Sequence, residues 1–162
     1  MNDSRPVNSK NADNAGVAFR PPVLLAVIIA LAFVARWAFP LSFLPPRLSA
    51  TAGPIIVAAS FVLFFASVYT MRRGGGSVPT GEPTDAIVRQ GPYRFSRNPI
   101  YLSMLFLQMG LGVWTNSAGF FALACAFLVL LTWGVISREE RYLERKFGSG
   151  YMSYKSRIRR WL

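Results

Sequence analysis

The 162 residues suffice for one compact domain. They are 52% hydrophobic and only 15% charged, yet 18 Lys and Arg face 7 Asp and Glu for a formal net charge of +11. That balance, with the basic segments set between long apolar runs, favours an anionic lipid surface over nucleic acid as a partner. A single cysteine, Cys125, and no histidine exclude an internal disulfide, a Ser-His-Asp triad and His-ligated metals.

Residues 1–21 are polar and read as a disordered tail, too long and too polar to open a cleaved signal peptide. Residues 22–162 read as a single membrane domain. The first span is expected over 22–39, with Arg36 snorkelling beside Trp37 near its far end. Pro40, Pro45 and Pro46 then form a short external loop. The second span is expected over 52–71, starting near Gly53-Pro54 and stopping at Arg72-Arg73. A polar loop rich in Gly and Pro follows to about Arg97, where long regular structure is not expected.

Asn98 to Ser137 is 40 residues without a charge. As one helix it would run about 60 Å, twice a hydrocarbon core of about 30 Å. It must fold back, and Thr115-Asn116-Ser117 is the natural turn. This predicts spans over 99–114 and 118–137 as a tight hairpin. In the remaining 25 residues, Phe147, Tyr151, Tyr154, Ile158 and Trp161 recur at helical spacing, and Gly148 and Gly150 divide the stripe into two short helices. The fold class is an all-α polytopic membrane bundle of about four transmembrane helices with a C-terminal cytoplasmic helical cap.

Lys and Arg set the orientation. The tail carries three, the 40–50 loop one, the 72–97 loop five, the 115–117 turn none and the C-terminal segment eight. Both termini and the central loop are therefore expected to be cytoplasmic, with a bacterial-type inner membrane as the location.

Hairpin geometry brings two polar segments together at that face: Gly91 to Tyr101, and Arg138 to Leu143. Each has an ordinary explanation. Arg97 and Arg138 suit positive-inside anchors, Asn98 an N-cap before Pro99, and Glu139 and Glu140 helix-surface charges paired with neighbouring arginines. Together they suggest more. Two of the seven acidic residues lie at the membrane edge of a very basic segment, where desolvation is costly unless something is bound. Gly91 allows close backbone approach, Tyr93 and Tyr101 offer aromatic faces, and Arg97 a carboxylate clamp.

These segments resemble the isoprenylcysteine carboxyl methyltransferase and phospholipid N-methyltransferase superfamily. Gly91, Tyr93, Arg97, Asn98, Pro99 and Tyr101 match Gly-x-Tyr…Arg-(His/Asn)-Pro-x-Tyr. Glu139-Glu140, Tyr142-Leu143 and the Phe147-Gly148…Tyr151…Tyr154 segment match its partner motif. The resemblance covers about residues 70–162. It implies S-adenosyl-L-methionine bound by Gly91, Tyr93, Arg97, Asn98, Pro99, Tyr101, Glu139 and Glu140. The family's more familiar residue at position 98 is His; Asn cannot titrate, so no imidazole base is available there.

The expected activity is methyl transfer to a lipophilic acceptor: an isoprenylcysteine-type carboxylate, a phospholipid amine, or a small hydrophobic thiol or acid. Arg138, Arg141 and Glu140 are the candidate catalytic residues, the two arginines for holding an anionic acceptor. The competing reading is a non-enzymatic membrane scaffold with a polybasic lipid-binding tail.

Overall fold

The computed structural model describes residues 16–78 and 83–162. Most of the expected tail therefore lies outside the described residues, as do Pro79 and Gly81 of the central loop. The six described tail residues are not free of the domain. Ala18 N donates to Gly134 O at 3.0 Å, and Pro21 already opens the first helix.

Every regular element among the described residues is helical. They are α1 (Pro21–Ala38), α2 (Pro46–Arg73), a 3-10 turn (Gly91–Arg94), α3 (Pro99–Trp114), α4 (Ala118–Leu131), a π-helical turn (Thr132–Ile136), α5 (Ser137–Phe147) and α6 (Ser149–Arg157). Three helices are long and apolar enough to cross a membrane: α1, α2 and the continuous helix Ala118–Phe147. α3 is shorter, at 16 residues.

Two sequence expectations need correcting. α2 begins at Pro46, not near 52, and the loop before it ends at Pro45. Proline suits the first helical position, where its missing N–H has no partner to lose. Pro54, which reads from sequence as a starter, instead lies inside the helix, as membrane helices tolerate. Asn98 precedes α3 but makes no side-chain cap. Its amide is used elsewhere.

Polarity is distributed inside out. Val23, Val27, Leu31, Val34, Ile55, Phe61, Val62 and Phe65 are exposed, whereas Ser49, Ser60, Ser67, Ser103 and Gln108 are buried. Water would penalise that arrangement, and a hydrocarbon surround favours it. The buried hydroxyls bond their own helix: Ser60 Oγ to Val57 O, Ser67 Oγ to Leu63 O and Ser103 Oγ to Ile100 O, each at 2.6 Å. Small residues also set the α2–α3 approach. A Cβ on Gly53 would lie 2.3 Å from Trp114 Cα, and one on Gly110 2.9 Å from Val57 N.

The predicted hairpin forms around Thr115–Ser117, joining α3 to α4. Asn116 (φ +50°) stitches this turn to the other loop on that side. Its Oδ1 accepts from Phe43 N and Leu44 N at 3.0 and 2.9 Å, and its Nδ2 donates to Leu44 O at 2.8 Å. α1 packs on α4 through an edge-on contact of Phe33 and Phe120.

The π turn fixes the orientation of α5. Phe120, Ala124, Phe127 and Leu131 form the buried stripe of α4, and burial continues through both Val135 and Ile136 to Glu140. The step from Leu131 to Ile136 is one residue wider than the neighbouring steps, as a turn that holds an extra residue requires. α5 then breaks at Gly148. α6 ends at Arg157, so the expected helical stripe stops before Ile158, which is extended (φ −115°, ψ 131°).

Candidate functional site

At the α5 end of the hairpin lies a cavity of about 220 Å³. Its polar wall includes Tyr93, Arg97, Asn98, Tyr101, Glu139 and Glu140. Its apolar wall includes Pro21, Phe64, Met71, Ile100 and Met104, drawn from α1, α2 and α3. Segments about forty residues apart in sequence meet here because the hairpin returns α5 to the start of α3.

The two adjacent carboxylates have different surroundings. Glu140 is 4% exposed and sits between two guanidiniums. Arg160 grips it as a fork, Nε to Oε1 at 3.1 Å and Nη2 to Oε2 at 2.6 Å. Arg97 Nη1 stands 3.3 Å from Oε1, but without hydrogen-bond geometry. Glu139 instead accepts from the Tyr101 hydroxyl at 2.8 Å, which ties the start of α3 to α5. The helix-neighbour ion pairs expected for both glutamates are replaced by these longer-range contacts.

Several buried polar atoms are left open. Arg97 Nε and Nη1 and the Tyr93 hydroxyl have no hydrogen-bond partner among the described residues. Such atoms cost about 1–3 kcal/mol each when nothing satisfies them, so a cluster lining a cavity marks a place for a polar ligand. Burial pushes the phenols of Tyr93, Tyr151 and Tyr154 up, that of Tyr154 to about 12. All three stay protonated at neutral pH and can donate a hydrogen bond, but not act as bases.

The chain end holds the site from below. Arg97 N donates to Arg159 O at 3.0 Å, while Ser96 Oγ and Asn98 Nδ2 donate to Arg160 O at 3.2 and 3.1 Å. Tyr154 Oη donates to Tyr93 O at 2.8 Å, and Trp161 packs on the apolar cluster around Met104, Leu131 and Val135.

Tyr93, Arg97, Asn98, Pro99, Tyr101, Glu139 and Glu140 are thus brought together. Gly91 lies outside the wall; its close approach is to α2, where a Cβ would meet Thr70 Oγ1 at 2.8 Å, and its φ is +55°. Arg138 and Arg141 do not join the cavity. They are exposed and line a separate cleft with Gly16 and Arg145. Arg138 Nη1 donates to Gly16 O at 2.7 Å and Arg141 Nε to Ser137 O at 3.1 Å. Arg160 is the residue that sequence reasoning passes over, as one topology marker among eight. Its place next to Trp161, the last member of the aromatic stripe, is the available signal.

An uncharacterized protein of Haemophilus influenzae is 36% identical over 63 residues, which are 39% of this chain and all of that protein. No solved structure matches. Residues 48–150 match the phospholipid methyltransferase family. That span runs from the first turns of α2 into α6 and contains both halves of the polar wall, the Gly91–Tyr101 segment and the Glu139–Glu140 pair. On this match the chain belongs to the phospholipid methyltransferase family.

Proposed function

We propose that this membrane protein transfers a methyl group from S-adenosyl-L-methionine to a membrane-partitioned acceptor bearing a protonated nucleophile, an amine or a thiol. The observation that carries the reading is the charge layout of the cavity wall. At one place two guanidiniums share the single carboxylate of Glu140, which leaves a net positive charge and unpartnered N–H groups on Arg97. At another, Glu139 presents a carboxylate steadied by a neutral phenol. A zwitterionic amino acid that also carries a sulfonium suits a wall with both signs displayed separately.

The residues present fit that cofactor. Arg97 would hold its carboxylate, the Tyr93 hydroxyl would supply a further donor, and Glu139 would face its positive charge. The bound cofactor supplies a methyl group on a sulfonium with an excellent leaving group. Glu139 takes the proton released by the acceptor, since the phenols around it stay protonated and position 98 carries no imidazole. The apolar wall from α1, α2 and α3 excludes water and receives the lipophilic part of the acceptor. A carboxylate acceptor is disfavoured, because Arg138 and Arg141, the groups expected to hold it, line a different cleft.

The arginine distribution supports cytoplasmic termini, which would put the cavity on that side of a multi-pass bundle. Arg138, Arg141 and Arg145, exposed on the outer side of α5, then face anionic headgroups.

The test is a labelled-methyl screen across amine, thiol and carboxylate lipids with the full chain in detergent. Transfer to an amine or thiol is expected, lowered about a hundredfold or more by Glu139→Gln. Transfer confined to carboxylates would overturn the acceptor assignment. Failure of the folded protein to bind S-adenosylhomocysteine would overturn the enzyme reading.

A further inference from the structure

The segment beyond α6 lies outside the family match, which ends at residue 150, yet it supplies one of the two cations on Glu140. Ile158 leaves the helix extended, and the next two carbonyls are fastened to the Ser96–Asn98 backbone and side chains. Trp161 anchors the chain end in the apolar cluster. Arg160 is thereby aimed at Glu140 and occupies both of its oxygens.

That fork has a consequence for Arg97. Glu140 is buried and must be neutralised. With Arg160 filling both oxygens, Arg97 adds its charge without a hydrogen bond to Glu140, and its Nε and Nη1 remain unpartnered. Were Arg160 absent, Glu140 would have one cation left and would draw the Arg97 guanidinium onto itself. The unpartnered N–H groups beside the cavity would then be consumed inside the protein.

We propose that Arg160 is a positioning residue that keeps Arg97 open to the carboxylate of the cofactor by satisfying Glu140 in its place. This rests on the methyltransferase reading above. Hydrogen bonding to Glu140 holds the Arg160 guanidinium above its ordinary range, consistent with a permanent pair. The three fastenings of the chain end explain why a segment outside the family match reaches this depth of the site.

The experiment measures binding rather than turnover, by titration calorimetry of the full chain in detergent. The probes are S-adenosylhomocysteine and its decarboxylated analogue, the same molecule without the carboxylate. Wild-type protein is expected to favour the carboxylate-bearing probe. Arg160→Ala should weaken that probe tenfold or more and leave the decarboxylated one within twofold. Arg160→Lys, which keeps the charge but not the fork, should fall between. If Arg160→Ala does not fold, Arg160→Lys is judged by the same ratio. Equal weakening of both probes would reduce Arg160 to a structural prop, and unchanged binding of both would make it a spectator; either overturns the proposal. Equal wild-type affinity for both probes would overturn it too, by removing the role of Arg97. Binding of neither probe to folded wild type would instead sink the methyltransferase reading itself.

Discussion

The two sides of α5 use the same residue type for different purposes. On the inner side, Arg97 and Arg160 reach Glu140 from distant parts of the chain, and all three are held by partners outside the helix. On the outer side, Arg138 and Arg141 project into the open and bond to backbone carbonyls. The inner arginines are fixed by a buried carboxylate; the outer ones keep most of their donors for solvent or headgroups. Adjacency in sequence says little about which side a helical residue faces, because neighbours point about 100° apart.

That contrast can be broken at several points. The largest effect is expected from Glu140→Gln. It leaves two guanidiniums facing each other, one of them buried, without a counter-charge, and should cost about 3–5 kcal/mol of stability. Thermal melting in detergent reads this directly, and a shift no larger than that of a surface variant would mean the inner pair is not the anchor described. Tyr101→Phe removes one hydrogen bond to a charged group, worth about 1.5–3 kcal/mol. It should lower methyl transfer about tenfold or more and shift the melting temperature less than Glu140→Gln does, because the ring and its packing remain. Arg138→Gln and Arg141→Gln should be the mildest, within about 0.5 kcal/mol in stability and within about twofold in turnover. A large loss of turnover in either would return these arginines to the reaction and erase the distinction between the two sides.

Much of the bundle is legible in the sequence for a plain reason. A hydrocarbon surround allows few ways to place a 40-residue charge-free run, and the polar triplet Thr115–Ser117 marks the only economical turn. The same reasoning brings Arg97, Tyr101 and the glutamates to one face. What cannot be read is α-helical phase. Continued at the α period, the buried stripe of Phe127 and Leu131 passes through Val135, itself buried, to Arg138 and Glu139. The π turn adds Ile136 to the buried face and turns Glu140 inward, and no residue type in Thr132–Ile136 announces that turn. The start of α2 is hard to place for a similar reason. Pro54 reads as a helix starter and Pro46 as loop, although it is Pro46 that takes the first helical position. Arg160 is hidden because its partner, Glu140, is twenty residues away across a helix break.

The wide turn also makes the length of this helix adjustable by one residue. A π turn absorbs a single extra residue without rotating the helix beyond it, so the chain here carries one residue more than its phase requires. Trp133 is the natural one to lose, being 77% exposed and outside the core. Its deletion should let the turn rewind as regular helix, with Glu140 still directed inward and affinity for S-adenosylhomocysteine largely kept. Removing both Trp133 and Gly134 exceeds that allowance. α5 would then rotate by about 100°, and binding should be lost although the same charged residues are all still present.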